Sequence, residues 1–193
     1  GVRRQRQMCI RDSPLMDPFK KTVEDELGVK LLSVMYLGRR HVNLRQPRSE
    51  VDVQTPADLA GVNLRMPGTD AWQFLGAALG ASPTPFAFTE VYTALSTGAV
   101  DGQDIPLATV VDGKIYEVTK QIALTSHLVD LNYVAFSKAT WDSLTPDQQM
   151  TVQRAADAAS AWGRLKQLDK ENNLADFIRS QGVEIYSPDL DAF

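Results

Sequence analysis

The 193-residue sequence predicts an α/β fold, and three observations lead to that prediction. Short apolar runs rich in β-branched residues alternate along the chain with segments of helical periodicity. Hydrophobic residues make up 44% of the sequence and charged residues 23%, which is typical of a globular protein with an apolar core. One helical segment is unusually long for a globular domain. Together these features favour an α/β protein with two lobes that share the long helix.

The first thirteen residues, GVRRQRQMCIRDS, differ from the rest of the chain. They contain four arginines, one acid and the only cysteine, Cys9, and they lack helical and strand periodicity. Because the segment resembles translated adapter sequence, we predict that 1–13 is a non-native tail. The remaining 16 basic and 23 acidic residues give a net charge of −7, which argues against a nucleic-acid-binding protein. A single cysteine also excludes an intrachain disulfide and a cysteine metal cluster.

The pattern from residue 17 to residue 66 predicts a helix, a strand, a helical turn and a second strand. DPFKKTVEDELG is helical, and its last residue, Gly28, is suited to a C-terminal cap. VKLLSVMYL (29–37) is an apolar run typical of a buried strand. TPADLAG begins with a Thr-Pro pair that favours a short helical turn, and VNLRM (62–66) is typical of a short strand.

A helix is predicted next, capped by Thr69 or Asp70 and ended by Gly80. Its apolar face is expected to contain Trp72, Leu75 and Leu79 with Ala71, Phe74 and Ala78.

Residues 82–88, SPTPFAF, are expected to be extended. Thr89 is expected to cap a second helix, which ends at Gly98. The following AVDGQDIP (99–106) is predicted to be a loop that leads into irregular chain. The aromatic residues Phe86, Phe88 and Tyr92 could form a stacking surface, but their spacing is more usual for core residues.

The last third of the chain predicts two strands on either side of the long helix. YVAFS (133–137) and VEIYSP (183–188) are the strand candidates. TPDQ (145–148) has the pattern of a capping box with proline at the first helical position. The helical pattern then continues without a stop signal as far as Gln181-Gly182.

Signals for catalysis are weak. Neither histidine, His41 or His127, lies in a metal-binding or nucleophile–base spacing, so structural roles are favoured. Asp101 and Asp104 could form an acid/base pair, but loop aspartates beside glycine more often make turns. The common dinucleotide, P-loop, hydrolase and zincin motifs are absent from the sequence. We therefore predict no catalytic residue, no metal site and no cofactor.

Arg65 is unusual because it lies where a predicted strand passes into a helix. A guanidinium stays charged when it is buried, so it needs an anionic partner. Its parallel N–H donors match a carboxylate, and ligands of open α/β sheets bind at the carboxyl ends of strands. These arguments leave two alternatives, a bound carboxylate or an internal salt bridge.

Several motifs resemble the signature region of the DctP-type solute-binding proteins of TRAP transporters. They are RMPG, LGASPTP and the run EVYTALSTGAVDGQ, followed by KIYEVTKQIALTSH and WDSLTPDQQ. The resemblance extends from about Pro18 to the last residue and keeps the motifs in order.

The resemblance implies a set of ligand-binding residues. In that family, an arginine at the position of Arg65 clamps the carboxylate of the ligand. A second arginine lies upstream in a G-x-R-H context, which Arg40 fits, and Arg45 remains an alternative. An aromatic residue at the position of Phe88 packs against the ligand, although core packing also explains it.

One position departs from the family pattern. Relatives commonly have DGQEN or DGQDN before the proline, and the asparagine hydrogen-bonds to the ligand carboxylate. Ile105 occupies that position here, which removes a polar contact worth about 1–3 kcal/mol if its partner is left unpaired. Either the ligand differs or binding is impaired. Asp104 keeps the neighbouring acidic position and is expected to contact a hydroxyl or an amine.

The resemblance also implies an α/β, two-lobed fold of the type II periplasmic-binding-protein kind, truncated at both ends, with the long helix bridging the lobes. In these terms, 14–42 is a remnant of the first lobe and 43–130 is the second lobe. Residues 131–170, with the long helix, return to the first lobe, and 171–193 re-enter the second.

The implied function is that of an extracytoplasmic solute-binding subunit of a TRAP transporter. Such a protein captures a small organic acid in the periplasm, such as a C4-dicarboxylate, a sugar acid or a related carboxylate. It delivers the acid to membrane permease subunits, and it is expected to be a monomer that performs no chemistry. Two alternatives are a ligand-sensing protein of similar fold and an α/β enzyme that uses Asp101 or Asp104.

Overall fold

The structure is a computed structural model that describes residues 16–193, so the predicted tail at 1–13 lies outside the described residues. The helices are α1 (Met16–Leu27), α2 (Asp70–Ala78), α3 (Val91–Thr97), α4 (Leu107–Asp112), α5 (Lys138–Ser143) and α6 (Pro146–Ser180). The strands are β1 (Val29–Leu44), β2 (Asn63–Met66), β3 (Ser82–Pro85), β4 (Gly102–Pro106), β5 (Gln121–Ser137) and β6 (Glu184–Tyr186). Short 3-10 turns lie at Pro56–Leu59, Phe88–Glu90 and Ile115–Glu117. None of the helices in the described part of the chain is long and apolar enough to span a membrane.

The chain divides into two compact units. One unit contains the described residues up to Tyr36 and those of Leu131–Lys166, and the larger unit contains Leu37–Asp130 and Gln167–Phe193. The elements β1, β5 and α6 each contribute residues to both units. The division shows that the candidate site residues at 40–130 all belong to the larger unit.

The long helix forms as predicted. At its start, the Thr145 N–H donates to Gln148 Oε1 at 2.9 Å and the Gln148 N–H donates to Thr145 Oγ1 at 3.4 Å. This reciprocal pair satisfies two backbone donors that the first helical turn leaves free, so the predicted capping box is confirmed. The helix runs for 35 residues to Ser180, and Gly182 follows with a φ of +87°, a conformation that glycine adopts easily.

A mixed sheet organises the larger unit, with the strand order β3-β2-β4-β1-β5-β6. Strand β2 is parallel to both β3 and β4, and β1 is antiparallel to β4. Successive strand residues point to opposite faces, so Ile122 packs in one apolar cluster and Ala123 in the other. Because β2 and β4 are interior strands with core on both faces, a polar side chain at their ends is held in place by packing.

Helix α2 differs from its predicted apolar face. Trp72, Leu75 and Leu79 pack on a core cluster as predicted, but Phe74 is 76% exposed. Ala71 and Ala78 are also exposed. The buried stripe instead includes Gly76, where a Cβ would lie 2.8 Å from the Cβ of Pro83. A glycine at this position lets the helix approach the sheet closely, and that orientation turns Phe74 outward.

The predicted loop at 99–106 is wrong, because Gly102–Pro106 form the buried strand β4. Gln103 and Asp104 are fully buried in this strand, so their polarity hides the apolar pattern that normally identifies a central strand. The chain after it is not irregular, since it forms α4 and the start of β5.

The predicted Thr89 cap is also wrong. A 3-10 turn at Phe88–Glu90 precedes α3, and the Glu90 carboxylate accepts a hydrogen bond from the Ala87 N–H at 3.1 Å. Glu90, at the end of the turn, therefore caps this segment in place of Thr89. The predicted end of the helix at Gly98 is confirmed by its φ of +76°.

Candidate functional site

A cavity of about 710 Å³ lies at the carboxyl ends of the parallel strands β2, β3 and β4. Its lining includes Arg40, Arg65, Phe88, Ile105 and Asp130. The ends of parallel strands are the usual ligand position in open α/β sheets. The structure thus brings four of the six sequence-predicted site residues to one cavity within the larger unit.

Arg65 is only 4% exposed, next to the end of the interior strand β2. Its Nε and Nη2 donate to the backbone carbonyl of Phe86 at 2.9 and 2.7 Å, which fixes the guanidinium plane. No acidic side chain in residues 16–193 lies within ion-pair distance of it. Burial, and then the positive charge of Arg40, lower the pKa of Arg65, while the negative charge of Asp104 acts in the opposite direction. Arg65 is therefore a fixed, buried cation on the cavity wall without a direct counterion among the described residues.

Arg40 has a different environment, although it lines the same cavity. Its Nε and Nη2 donate to the two carboxylate oxygens of Asp104 at 2.9 and 2.8 Å, and Nη2 also donates to the Asp104 carbonyl. Its Nη1 donates to Asp130 Oδ2 at 2.5 Å. The guanidinium carbon lies 4.4 Å from the ring centroid of Trp72, at cation–π distance. Burial opposes the charge, but the two carboxylates outweigh it and raise the pKa of Arg40.

Asp104 is fully buried and has a second donor besides Arg40. Nε2 of His127 lies 3.0 Å from Asp104 Oδ2, and its Nδ1 lies 2.7 Å from the Thr125 hydroxyl. Because a carboxylate can only accept, the network places the ring proton on Nε2 and lets the hydroxyl donate to Nδ1. Burial would raise the pKa of Asp104, but these hydrogen bonds lower it to about 2. The carboxylate is sequestered from the cavity, and it is not among the cavity-lining residues.

His41 lies beside this network and is also buried. Its Nδ1 accepts a hydrogen bond from the Ser126 backbone N–H at 3.3 Å. Burial, and then the nearby charge of Arg39, lower the pKa of His41 to about 3. Both histidines therefore have structural contacts, as favoured from the sequence.

Ile105 lines the cavity although it is only 2% exposed. Most of its side chain packs in the apolar cluster that includes Leu107 and Val110 of α4. The position that carries an asparagine amide in the family pattern thus presents hydrocarbon to the cavity, next to the two arginines.

Phe88 is 49% exposed at the cavity and Tyr92 is 39% exposed, so the core interpretation is wrong for both. The Tyr92 hydroxyl donates to Glu117 at 2.7 Å. Phe86 is partly buried against a core cluster, as expected. The turn at Phe88–Glu90 explains the difference, because it directs the ring of Phe88 towards the cavity instead of the core.

Arg45 lies away from the cavity lining. Its side chain is 40% exposed, and its Nε is 3.8 Å from Asp101 Oδ1. Asp101 in turn accepts hydrogen bonds from the Gln46 side chain at 2.7 Å and the Asn63 N–H at 3.0 Å. These contacts tie a loop to the start of β2, and Asp101 and Asp104 have separate sets of hydrogen-bond partners.

Sequence reasoning missed Asp130 and Trp72, the two residues that complete the surroundings of Arg40. Asp130 lies on β5, which neighbours β1 in the sheet, and long strands rarely reveal their partners from sequence. Among residues 16–193, no three His, Cys, Asp or Glu side chains gather as a metal site. The arrangement is suited to binding an anion by hydrogen bonds and charge.

An α/β fold with a buried arginine at the end of an interior strand and a cavity beside it is the arrangement expected of a solute-binding protein of the periplasmic class. The profile of the DctP family, described as bacterial extracellular solute-binding protein family 7, matches residues 3–193, and the chain belongs to this family. The predicted family, the predicted fold class and the predicted periplasmic location are confirmed by this membership and by the relatives that follow.

A solved TRAP periplasmic solute-binding protein from Roseobacter denitrificans, with bound 3-deoxy-D-manno-oct-2-ulosonic acid (KDO), is 73% identical with a TM-score of 0.95. The match covers 97% of this chain and 62% of that one. The sialic acid-binding periplasmic protein SiaP of Vibrio cholerae is 34% identical, over 91% of this chain and 54% of its own length. The 2,3-diketo-L-gulonate-binding periplasmic protein YiaO of Escherichia coli is 32% identical, over 93% and 53%. The chain spans about half the length of these curated relatives.

Proposed function

We propose that the chain belongs to the solute-binding subunit of a TRAP transporter, which captures a small organic acid and delivers it to membrane permease subunits. The carrying observation is Arg65, a buried guanidinium on a cavity wall with no acidic partner among the described residues. Burying a charge without a partner is costly, so such a site favours an anionic ligand that supplies the missing partner. A carboxylate matches the remaining donors of the guanidinium.

The ligand is a sugar acid of the KDO kind. The support is the 73% identity to the Roseobacter protein, which spans nearly all of this chain. An eight-carbon sugar acid fits a cavity of about 710 Å³, because the volumes of small-molecule sites lie between about 300 and 1,000 Å³. The half-exposed ring of Phe88 provides an apolar surface for one face of such a ligand.

The second arginine of the site is Arg40, which lines the cavity, and not Arg45, which faces Asp101. We assign the two compact units to the two lobes of the family fold, and we expect the protein to act as a monomer. A catalytic role for Asp104 has no support in its geometry, because its carboxylate is buried behind Arg40 and His127.

The test uses a chimera in which this chain replaces the matching part of the Roseobacter protein. Its melting temperature is measured with KDO, sialic acid, L-galactonate and succinate, each at saturating concentration. A ligand at a hundred times its dissociation constant stabilises the folded state by about 2.7 kcal/mol. We expect KDO to raise the melting temperature most, with the Roseobacter protein as the positive control.

A well-folded chimera that no acid stabilises would contradict the proposed function. A chimera that responds to succinate and not to sugar acids would retain the organic-acid function and overturn the proposed ligand. The Arg65→Ala chimera should lose the stabilisation by ligand, and Arg48→Ala is its matched arginine control, since Arg48 pairs with Asp52 and Glu184 outside the cavity.

A further inference from the structure

Five charged side chains meet at the cavity end of the sheet. Within the described residues these are Arg40, Arg65, Glu90, Asp104 and Asp130. The site therefore contains two positive and three negative side chains before a ligand binds. A site that simply collected anions would have an excess of positive charge, and this one does not.

The charges are also not evenly shared. Asp104 and Asp130 both contact Arg40, so this arginine is fully compensated by protein carboxylates. Glu90 is committed to the Ala87 N–H in the turn before α3. Among the charges of the described part of the site, Arg65 alone offers a cation that no protein carboxylate contacts. The site thus accommodates one carboxylate, at Arg65.

Asp130 is the acid that faces the cavity directly beside Arg40. It lines the cavity, its side chain is 15% exposed, and only its Oδ2 is engaged, by Arg40 Nη1 at 2.5 Å. Its Oδ1 receives no hydrogen bond from the described residues. An ionised carboxylate only accepts hydrogen bonds, so this oxygen suits a ligand hydroxyl and repels a second ligand carboxylate.

We propose that Asp130 determines specificity by making the site select acids with one negative charge and with hydroxyl groups, and exclude dicarboxylates of the same length. The inference rests on the proposed function and narrows its ligand class. Asp130 acts in two ways, because it cancels the charge of Arg40 and it presents a free acceptor to the ligand. C4-dicarboxylates, which family resemblance alone leaves open, are thereby excluded.

The test compares matched pairs of acids that differ only in oxidation of the terminal CH₂OH to a carboxylate. One pair is KDO and its C8-oxidised analogue, and the other is L-galactonate and galactarate. Dissociation constants are measured by titration calorimetry on the chimera and on its Asp130→Asn and Asp112→Asn variants. Asp112 is an exposed acid of the same unit that does not line the cavity, so it controls for a general loss of charge.

For the unsubstituted chimera, we expect the monocarboxylate of a pair to bind at least tenfold more tightly than its dicarboxylate. Asp130→Asn should reduce that ratio at least fivefold, and Asp112→Asn should leave it unchanged. The melting temperature without ligand shows whether Asp130→Asn remains folded, and Asp130→Ser provides a second neutral variant.

Equal binding of the two members of a pair, or a ratio that Asp130→Asn does not alter, would overturn the inference while the carboxylate-binding function stands. Preferential binding of the dicarboxylates would overturn it in the same way. If none of the four acids binds a folded chimera, both the inference and the proposed function are wrong.

Discussion

Arg40 and Asp104 lie on the neighbouring antiparallel strands β1 and β4, and two guanidinium nitrogens donate to the two carboxylate oxygens at 2.9 and 2.8 Å. This bidentate pair is buried at the centre of a network that also includes Asp130 and His127. Because both strands are fixed in the sheet, Arg40 is held rigidly beside the cavity. The pair therefore has a structural role in the site, and Arg65 is the arginine that remains available to bind the ligand.

Arg40→Ala should destabilise the folded chain strongly. Removing one partner of a buried ion pair leaves an uncompensated charge and costs about 3–5 kcal/mol. Urea unfolding measures this change directly. Arg45→Ala is the control, and it should cost about 0–1 kcal/mol because that arginine is 40% exposed and 3.8 Å from its acid.

A double variant separates charge from packing at the same position. Arg40→Met combined with Asp104→Asn should recover part of the lost stability, because the uncompensated carboxylate is removed with its partner. If Arg40→Ala proves as mild as Arg45→Ala, the network does not have the structural role described above.

His41 should make the stability of the chain depend on pH. The unfolded histidine binds a proton near its ordinary pKa of 6.5, whereas the folded one does so only near a pKa of about 3. Between these values the unfolded state holds more protons, so stability falls as the pH falls, by up to about 1.4 kcal/mol per pH unit. Urea unfolding from pH 7 to pH 4.5 measures the slope above the range in which Asp104, with a folded pKa of about 2, takes part.

His41→Asn keeps an acceptor near the Ser126 N–H and removes the titrating ring. We expect this variant to show a clearly shallower dependence on pH over the same range. An unchanged slope would mean that other groups cause the acid sensitivity.

Phe88→Ala should affect binding more than stability. The ring is 49% exposed, and substitutions of such residues usually change the free energy of unfolding by about 0.5 kcal/mol or less. A ligand that covers the ring would bind about tenfold more weakly to the variant, which corresponds to about 1.4 kcal/mol. Calorimetry on the chimera gives the affinity and urea unfolding gives the stability.

Phe74→Ala is the matched control for Phe88→Ala. Phe74 is a 76% exposed phenylalanine of the same unit that does not line the cavity, so its substitution should change neither quantity. If the two variants bind the ligand with equal affinity, Phe88 does not contact the ligand.

Local signals predicted much of the fold. The capping box at 145–148, the glycine at Gly28 and the apolar run at 29–37 all gave elements that the structure contains, because each depends on neighbours in sequence. Strand β4 was missed because Gln103 and Asp104 are buried polar residues whose partners come from elsewhere in the chain.

Sequence reasoning could predict a site residue where its charge conflicts with an apolar sequence context. Arg65 stood out because a cation rarely belongs at the edge of a core. Its partner in the described chain is the Phe86 carbonyl, and the internal salt bridge considered from sequence is not formed among the described residues. Asp130 could not be found in this way, since its role depends on the pairing of distant strands and on the position of Arg40.

The most direct test of the central hypothesis is the dissociation constant of KDO for the chimera with and without Arg65→Ala. Removing one partner of a buried hydrogen-bonded charge pair costs about 2–5 kcal/mol, so we predict that KDO binds at least 30-fold more weakly. Arg65→Lys should recover only part of the affinity, because an ammonium lacks the parallel donors. Arg48→Ala should bind as the unsubstituted chimera does. A folded Arg65→Ala variant that binds KDO within threefold of the unsubstituted chimera would contradict the assignment of Arg65 as the carboxylate clamp.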